Sequence, residues 1–252
     1  MKKEANVLTA SFPAGNIDYE ISVKKMFDCT HKQKRRIGMA IPKLQVALDT
    51  TSMCEAFQIL GNGLDGTVDI VECGTMLLLH EGLHAVDYLR AIYPDKPLVA
   101  DFKCVAPHFG SRIIEHNPDY ITVLSAAEPH VQEGISREAI ERGKGQEVQI
   151  EIYGSYTLGD VKRWKEYGIR HVIYNRPRTR KGPWGEEDVA DLRALIDLDM
   201  QVTATGGISY DTLDVVADLP LFAVICGRSV LKAEHPAEEA LRIKGRMAEL
   251  WS

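Results

Sequence analysis

Val68-Asp69-Ile70-Val71-Glu72, then Glu81 to Tyr93 with Leu83, Val86, Leu89 and Ala91 apolar, then Leu98-Val99-Ala100-Asp101, reads as strand, helix, strand. The first and last runs are short and β-branched. The middle one is longer and repeats its apolar positions with a helical period. Outward from this unit the alternation continues. Further candidate strands are Leu44–Leu48, Tyr120–Val123, Val148–Ile152, His171–Tyr174, Gln201–Ala204 and Phe222–Cys226. Helical patterns fall at Thr51–Leu60, Pro129–Arg142, Leu158–Tyr167, Glu186–Leu198, Tyr210–Val216 and Pro236–Trp251. Eight such units in about 209 residues suit a closed barrel better than an open doubly wound sheet. No GxGxxG follows the first strand, which argues against a dinucleotide fold. The expected architecture is therefore α/β, a single (β/α)₈ TIM barrel over residues 39–252 with a short N-terminal extension.

The chain has 252 residues, 45% of them hydrophobic and 26% charged, and a net charge of −6. That sign gives no general attraction to nucleic acid or anionic membrane. No apolar run approaches the roughly 18 residues of a membrane span. Five cysteines, with no CxxC pairing, fit a reduced, cytoplasmic chain, and Cys73, Cys104 and Cys226 read as small core residues. Residues 1–38 carry eight Lys/Arg against four Asp/Glu and lack both an apolar leader and sustained periodicity. They are expected to be a poorly packed arm. Met39 is expected to be the natural start, with Lys34-Arg35-Arg36-Ile37-Gly38 a translated ribosome-binding site; a dimerisation or regulatory arm is the rival reading.

Barrel enzymes place their chemistry at the C-terminal strand ends. Those ends read Asp49, Glu72, Asp101 with Lys103, Ser125, Glu151, Asn175 with Arg178, Thr205-Gly206-Gly207 and Gly227-Arg228. Asp49, Glu72 and Asp101 close three successive strands, so their carboxylates should converge on the mouth. Glu72 and Asp101 offer hard oxygen ligands suited to Mg²⁺. Lys103, two residues past Asp101 in an extended chain, should reach the same place and stay protonated among carboxylates. Glycines ending the seventh and eighth strands let backbone N–H groups approach a phosphate, with Arg228 as a fork-shaped partner. His80-Glu81-Gly82-Leu83-His84 spells the HExxH of zinc proteases. Gly82 weakens the helix that motif needs, and it is read as an ordinary helix start.

Leu44-Gln45-Val46-Ala47-Leu48-Asp49, Val71-Glu72-Cys73-Gly74-Thr75, Glu81-Gly82, Asp101-Phe102-Lys103, Gln149–Gly154, Ile173–Arg178, Thr205–Ile208 and Gly227-Arg228 together resemble 3-keto-L-gulonate 6-phosphate decarboxylase. That family belongs to the orotidine monophosphate decarboxylase group, with hexulose-6-phosphate synthase a near relative. The resemblance runs from about Met39 to Trp251 and implies a Mg²⁺-dependent homodimer with active sites at the interface. It implies that Glu72 and Asp101 bind Mg²⁺ and that Asp49 contacts sugar hydroxyls. Lys103 would stabilise an enediolate as CO₂ leaves, and Arg178 would lie near the water that reprotonates it. Thr205, Gly206, Gly207, Gly227 and Arg228 would hold the phosphate.

Two positions depart from the family pattern. Asp-x-Lys-x-x-Asp ends here in Ala106, and Asn175 stands where the decarboxylase has a proton-delivering histidine. Asn175 can orient water but cannot act as an acid; His108 and His130 are the substitutes at hand. The implied substrate is a phosphorylated sugar acid. The alternatives are an aldolase or other phosphosugar lyase on the same site, and a catalytically impaired phosphosugar-binding protein.

Overall fold

The computed structural model describes Met39–Ser252, so the expectations for residues 1–38 lie outside the described residues. Eight parallel strands close into a barrel in sequence order. They are β1 (Lys43–Leu48), β2 (Ile70–Cys73), β3 (Leu98–Cys104), β4 (Tyr120–Leu124), β5 (Glu147–Ile152), β6 (His171–Asn175), β7 (Gln201–Thr205) and β8 (Ala223–Cys226). The last strand pairs with the first, Gln45 opposite Ile225, which leaves no free sheet edge.

The α-helices of four or more residues are α1 (Met53–Ile59), α2 (Thr75–Glu81), α3 (His84–Ile92), α4 (Pro107–Glu115), α5 (Pro129–Glu141), α6 (Leu158–Glu166), α7 (Glu186–Asp197), α8 (Leu213–Val216), α9 (Arg228–Leu231) and α10 (Pro236–Trp251). Their ends follow local chemistry. Ser52 caps α1 by accepting from the Glu55 N–H, and Thr157 with Asp160 forms a capping box on α6. The helix expected from Glu81 to Tyr93 begins only at His84, and Glu81 instead ends the separate helix α2, because Gly82 leaves the helical region at φ 68°. Helix α4 is not among the helical patterns of the sequence. It packs closely on α5 because Gly110 has no side chain: a Cβ there would lie 2.5 Å from Ile135.

The strand register sorts the barrel interior into tiers drawn from alternate strands. From the N-terminal end these are Ile70, Tyr120, His171 and Ala223; then Gln45, Val99, Gln149 and Thr203; then Glu72, Thr122, Ile173 and Ile225. Ala47, Asp101, Glu151 and Thr205 form the tier at the mouth. Outward-facing residues such as Leu44, Val46, Val71 and Val202 join the helices in one apolar layer that includes Trp164 and Trp251. The carboxylates of these tiers thus fall only in the two nearest the C-terminal end of the barrel, where function is expected. Among the described residues no helix is long and apolar enough to cross a membrane.

His171 in the lowest tier is 2% exposed, edge-on to Tyr120 and Phe222, with Nε2 3.2 Å from Glu147. Burial, helped by the Lys43 charge, pushes its pKa down to about 4 from 6.5. The unfolded chain therefore takes up a proton below pH 6.5 while the folded one does so only near 4. Stability from the neutral imidazole is complete above pH 6.5 and is lost as pH falls through that window. Urea midpoints should show the wild type losing up to about 3 kcal/mol more than His171→Leu between about pH 7 and 4. Parallel pH profiles for the two proteins would refute the assignment.

Candidate active site

The decisive local feature is on β3. Ala100 pairs with Ile121 and Cys104 with Val123, so Asp101, Phe102 and Lys103 together face Thr122 alone. Lys103 adopts φ 58°, a region a non-glycine residue rarely enters. The expectation that Asp101 and Lys103 share one side of an extended chain is corrected here. The strand bulges, and the bulge turns Lys103 back toward the barrel axis. Its ammonium donates to Asp101 Oδ2 at 2.5 Å and Oδ1 at 2.7 Å, and pairs with Glu151 Oε2 at 2.8 Å.

Around this centre the polar groups interlock. The Thr75 hydroxyl lies 2.7 Å from Asp101 Oδ2, and Thr122 Oγ1 lies 3.0 Å from Asp101 Oδ1. Glu72 is buried one tier below the mouth and accepts from Gln45 Nε2 at 2.5 Å. Burial first, and the Asp101 carboxylate second, hold Glu72 well above the ordinary carboxylate range. Burial alone would lower the Lys103 pKa, but Asp101 and Glu151 outweigh it and raise the value, so the ammonium stays charged. Asp49 stands beyond β1, its Oδ1 3.3 Å from the Met76 N–H. This approach needs Gly74, where a Cβ would come within 2.6 Å of Asp49 Oδ1.

At the end of β6, Asn175 donates through Nδ2 to Glu151 Oε1 at 2.8 Å. Glu151 therefore joins Lys103 to Asn175. Arg178 is exposed in the following loop and lines, with Asn175, Tyr153 and Tyr156, a cavity of about 550 Å³. That loop is built around Asp188, which is 1% exposed. Asp188 accepts from Arg176 Nε at 3.0 Å, Arg180 Nη1 at 2.6 Å and the Gly185 N–H at 3.0 Å.

The two glycine segments lie side by side, because Ser229 Oγ donates to the Ile208 carbonyl at 2.9 Å. Gly206 and Gly207 both take φ 96°, and a Cβ on Gly206 would sit 2.8 Å from the Arg176 backbone nitrogen. Glycine is required there by conformation and by space. Gly227 precedes α9, and Arg228, its first residue, is exposed.

Other candidates resolve differently. Ser125 bridges to the Tyr153 backbone and serves to join two loops. His130 is exposed and paired with Glu128 at 3.1 Å, while exposed His108 packs on Phe109, so neither joins the carboxylate–lysine cluster. His80 lies near the end of α2 and His84 begins α3, which splits the HExxH pattern as Gly82 implied. Cys73, Cys104 and Cys226 are buried, and burial pushes the Cys226 thiol up to about 12, as core residues require. The sequence puts Glu151 at a strand end without assigning it to the site, and leaves Thr75, Thr122 and Gln45 without a role there. The one available signal is alternation: Glu147, Gln149 and Glu151 alternate with Val148, Ile150 and Ile152 along β5, which puts Gln149 and Glu151 on its inward face.

Residues 42–243 match the Orotidine 5'-phosphate decarboxylase / HUMPS family. The chain belongs to this family. Among curated members, 3-keto-L-gulonate-6-phosphate decarboxylase UlaD of Salmonella paratyphi B is 37% identical over 218 residues, 84% of this chain and all of that protein. A ligand-bound structure of KGPDC from Streptococcus mutans superposes with a TM-score of 0.80 at 32% identity, covering 84% of this chain and 100% of that one. A 3-hexulose-6-phosphate synthase from Salmonella typhimurium gives a TM-score of 0.73 at 27% identity, covering 82% and 99%.

Proposed function

We propose that the chain is a Mg²⁺-dependent carboxy-lyase that converts 3-keto-L-gulonate 6-phosphate, or a close sugar-acid phosphate, to a pentulose 5-phosphate. The observation that carries this reading is Lys103, held at the barrel mouth between Asp101 and Glu151, in a chain 37% identical to a curated decarboxylase. Loss of CO₂ leaves an electron pair that delocalises onto the neighbouring carbonyl oxygen as an enediolate. A fixed ammonium next to that oxygen stabilises the charge where it develops. Asp101 and Glu151 hold the lysine in one place and keep it protonated. The Gly206–Gly207 and Gly227–Arg228 segments suit the phosphate, and Asp49 suits a sugar hydroxyl.

Among the described residues no cluster of three or more His, Cys, Asp or Glu side chains forms a closed metal cage. Mg²⁺ typically takes one or two carboxylates plus water and substrate oxygens. Glu72 and Asp101 are such a pair; burial and then the Asp101 charge raise the Glu72 pKa, and a divalent cation would relieve the repulsion between them. When bound there, it would supply further positive charge to the developing oxyanion. Asn175 has both amide hydrogens and no acid proton, so water oriented by Asn175 and Arg178 would supply the proton at carbon. Met76 and Leu79 on α2 and Val105 just past β3 are exposed apolar residues, and they support the homodimer that this reading includes, with interfacial sites and a cytoplasmic location.

The test is CO₂ release from 3-keto-L-gulonate 6-phosphate by the purified chain, with Mg²⁺ and after chelation. Stoichiometric CO₂ and pentulose phosphate, lost on chelation and restored by Mg²⁺, are expected. Saturable binding without CO₂ release would overturn the reading and leave the aldolase and binding-protein alternatives.

A further inference from the structure

We infer that Thr122 is a positioning residue for Lys103, an assignment that rests on the decarboxylase reading of the site. Thr122 is 1% exposed and points into the barrel one tier below Asp101. Its hydroxyl accepts from the Lys103 backbone N–H at 2.8 Å and lies 3.0 Å from Asp101 Oδ1. A threonine hydroxyl has one proton to give. With one lone pair engaged by the Lys103 N–H, that proton goes to Asp101, so one side chain ties the lysine's backbone to the carboxylate that grips its ammonium.

The bulge explains why such a tie is needed. Three residues of β3 face Thr122, and the lysine among them stands at φ 58°. Such conformations persist where surrounding groups over-determine them. Without the hydroxyl, the Lys103 N–H loses its partner inside the barrel wall, and the strand can relax toward the extended form. In an extended strand, side chains two residues apart project in parallel. Lys103 would then stand up out of the mouth and would no longer fold back onto Asp101 and across to Glu151. Thr75 would still hold Asp101 from the other side, so the carboxylate stays while the lysine moves. The groups suited to binding substrate, Asp49 and the two glycine segments, lie on other strands and should be unaffected.

Thr122→Val keeps the shape and removes the hydroxyl; Thr122→Ser keeps the hydroxyl. The valine variant should lower kcat by about 10- to 100-fold, the scale expected for a misplaced catalytic group, with KM within about threefold of wild type. The serine variant should stay within a few-fold of wild type in both. Lysine acylation followed by mass spectrometry provides a readout independent of turnover. Lys103 should react several-fold faster in Thr122→Val than in wild type or Thr122→Ser. Thr122→Ala provides the same comparison if the valine variant does not fold. Equal impairment of the serine and valine variants, or unchanged Lys103 reactivity in the valine variant, would overturn the inference. If the wild type releases no CO₂, the functional reading fails, and the acylation rates still decide the positioning role.

Discussion

Lys103→Ala should lower kcat/KM for CO₂ release by about 10³-fold, the upper end of what one preorganised charge contributes to an oxyanion. The expectation follows from geometry. Asp101 and Glu151 fix the ammonium at 2.5 to 2.8 Å, so it needs no reorganisation when charge develops on the substrate. The same substitution has a signature in stability. It leaves Asp101 and Glu151 without their partner and removes the Lys103 charge that lowers the Glu72 pKa, so the Glu72 carboxyl should sit higher still in the folded state. Groups raised in this way contribute stability below the unfolded carboxylate range, and that stability is lost as pH rises. Urea midpoints should therefore fall further below wild type at about pH 8 than at about pH 5. A Lys103→Ala protein that turns over near the wild-type rate would exclude the proposed chemistry outright.

The second large effect is on folding. Asp188→Ala should destabilise the barrel by about 3–5 kcal/mol, the usual cost of removing one partner from a buried ionic network. Asp188 holds Arg176 and Arg180 from opposite ends of one loop and also lies 3.1 Å from the Tyr174 hydroxyl. Burial alone would raise its pKa, but Arg180, Arg176 and the Gly185 N–H bring it below the ordinary value. This contribution is complete above the ordinary aspartate pKa and is lost as pH falls through the lowered one. Chemical denaturation near neutral pH measures it directly, and a change under about 1 kcal/mol would show that the network is dispensable. Activity should fall as well, because Arg178 sits between the two clamped arginines.

Strands are legible where neighbours in the chain carry the signal. His171–Tyr174 and Leu98–Asp101 are short β-branched runs between helical patterns, and both lie in strands. Gly82 weakens a helical pattern and ends a helix in the structure. Gly206 and Gly207 read as a close-approach turn, and both take a backbone conformation that favours glycine. Other features carry no local signal. The β-branched run stops at Asp101, yet the strand continues to Cys104, because pairing with β4 carries it through a bulge that no periodicity announces. Helix α4 is equally silent in the sequence, since its place is set by Ile135, which fills the space left by Gly110.

By itself, the sequence determined the class of fold, the order of its eight units and the residue types at the strand ends. Each of these depends on periodicity and backbone preference within a few residues. Only the closed barrel decided which of those residues meet. The register of a sheared barrel puts Asp101 and Glu151 in one tier, with Thr122 directly beneath, although they come from three successive strands with a helix between each pair. Lys103 becomes the centre of the site because that closure supplies carboxylates on two sides and a hydroxyl that holds its backbone.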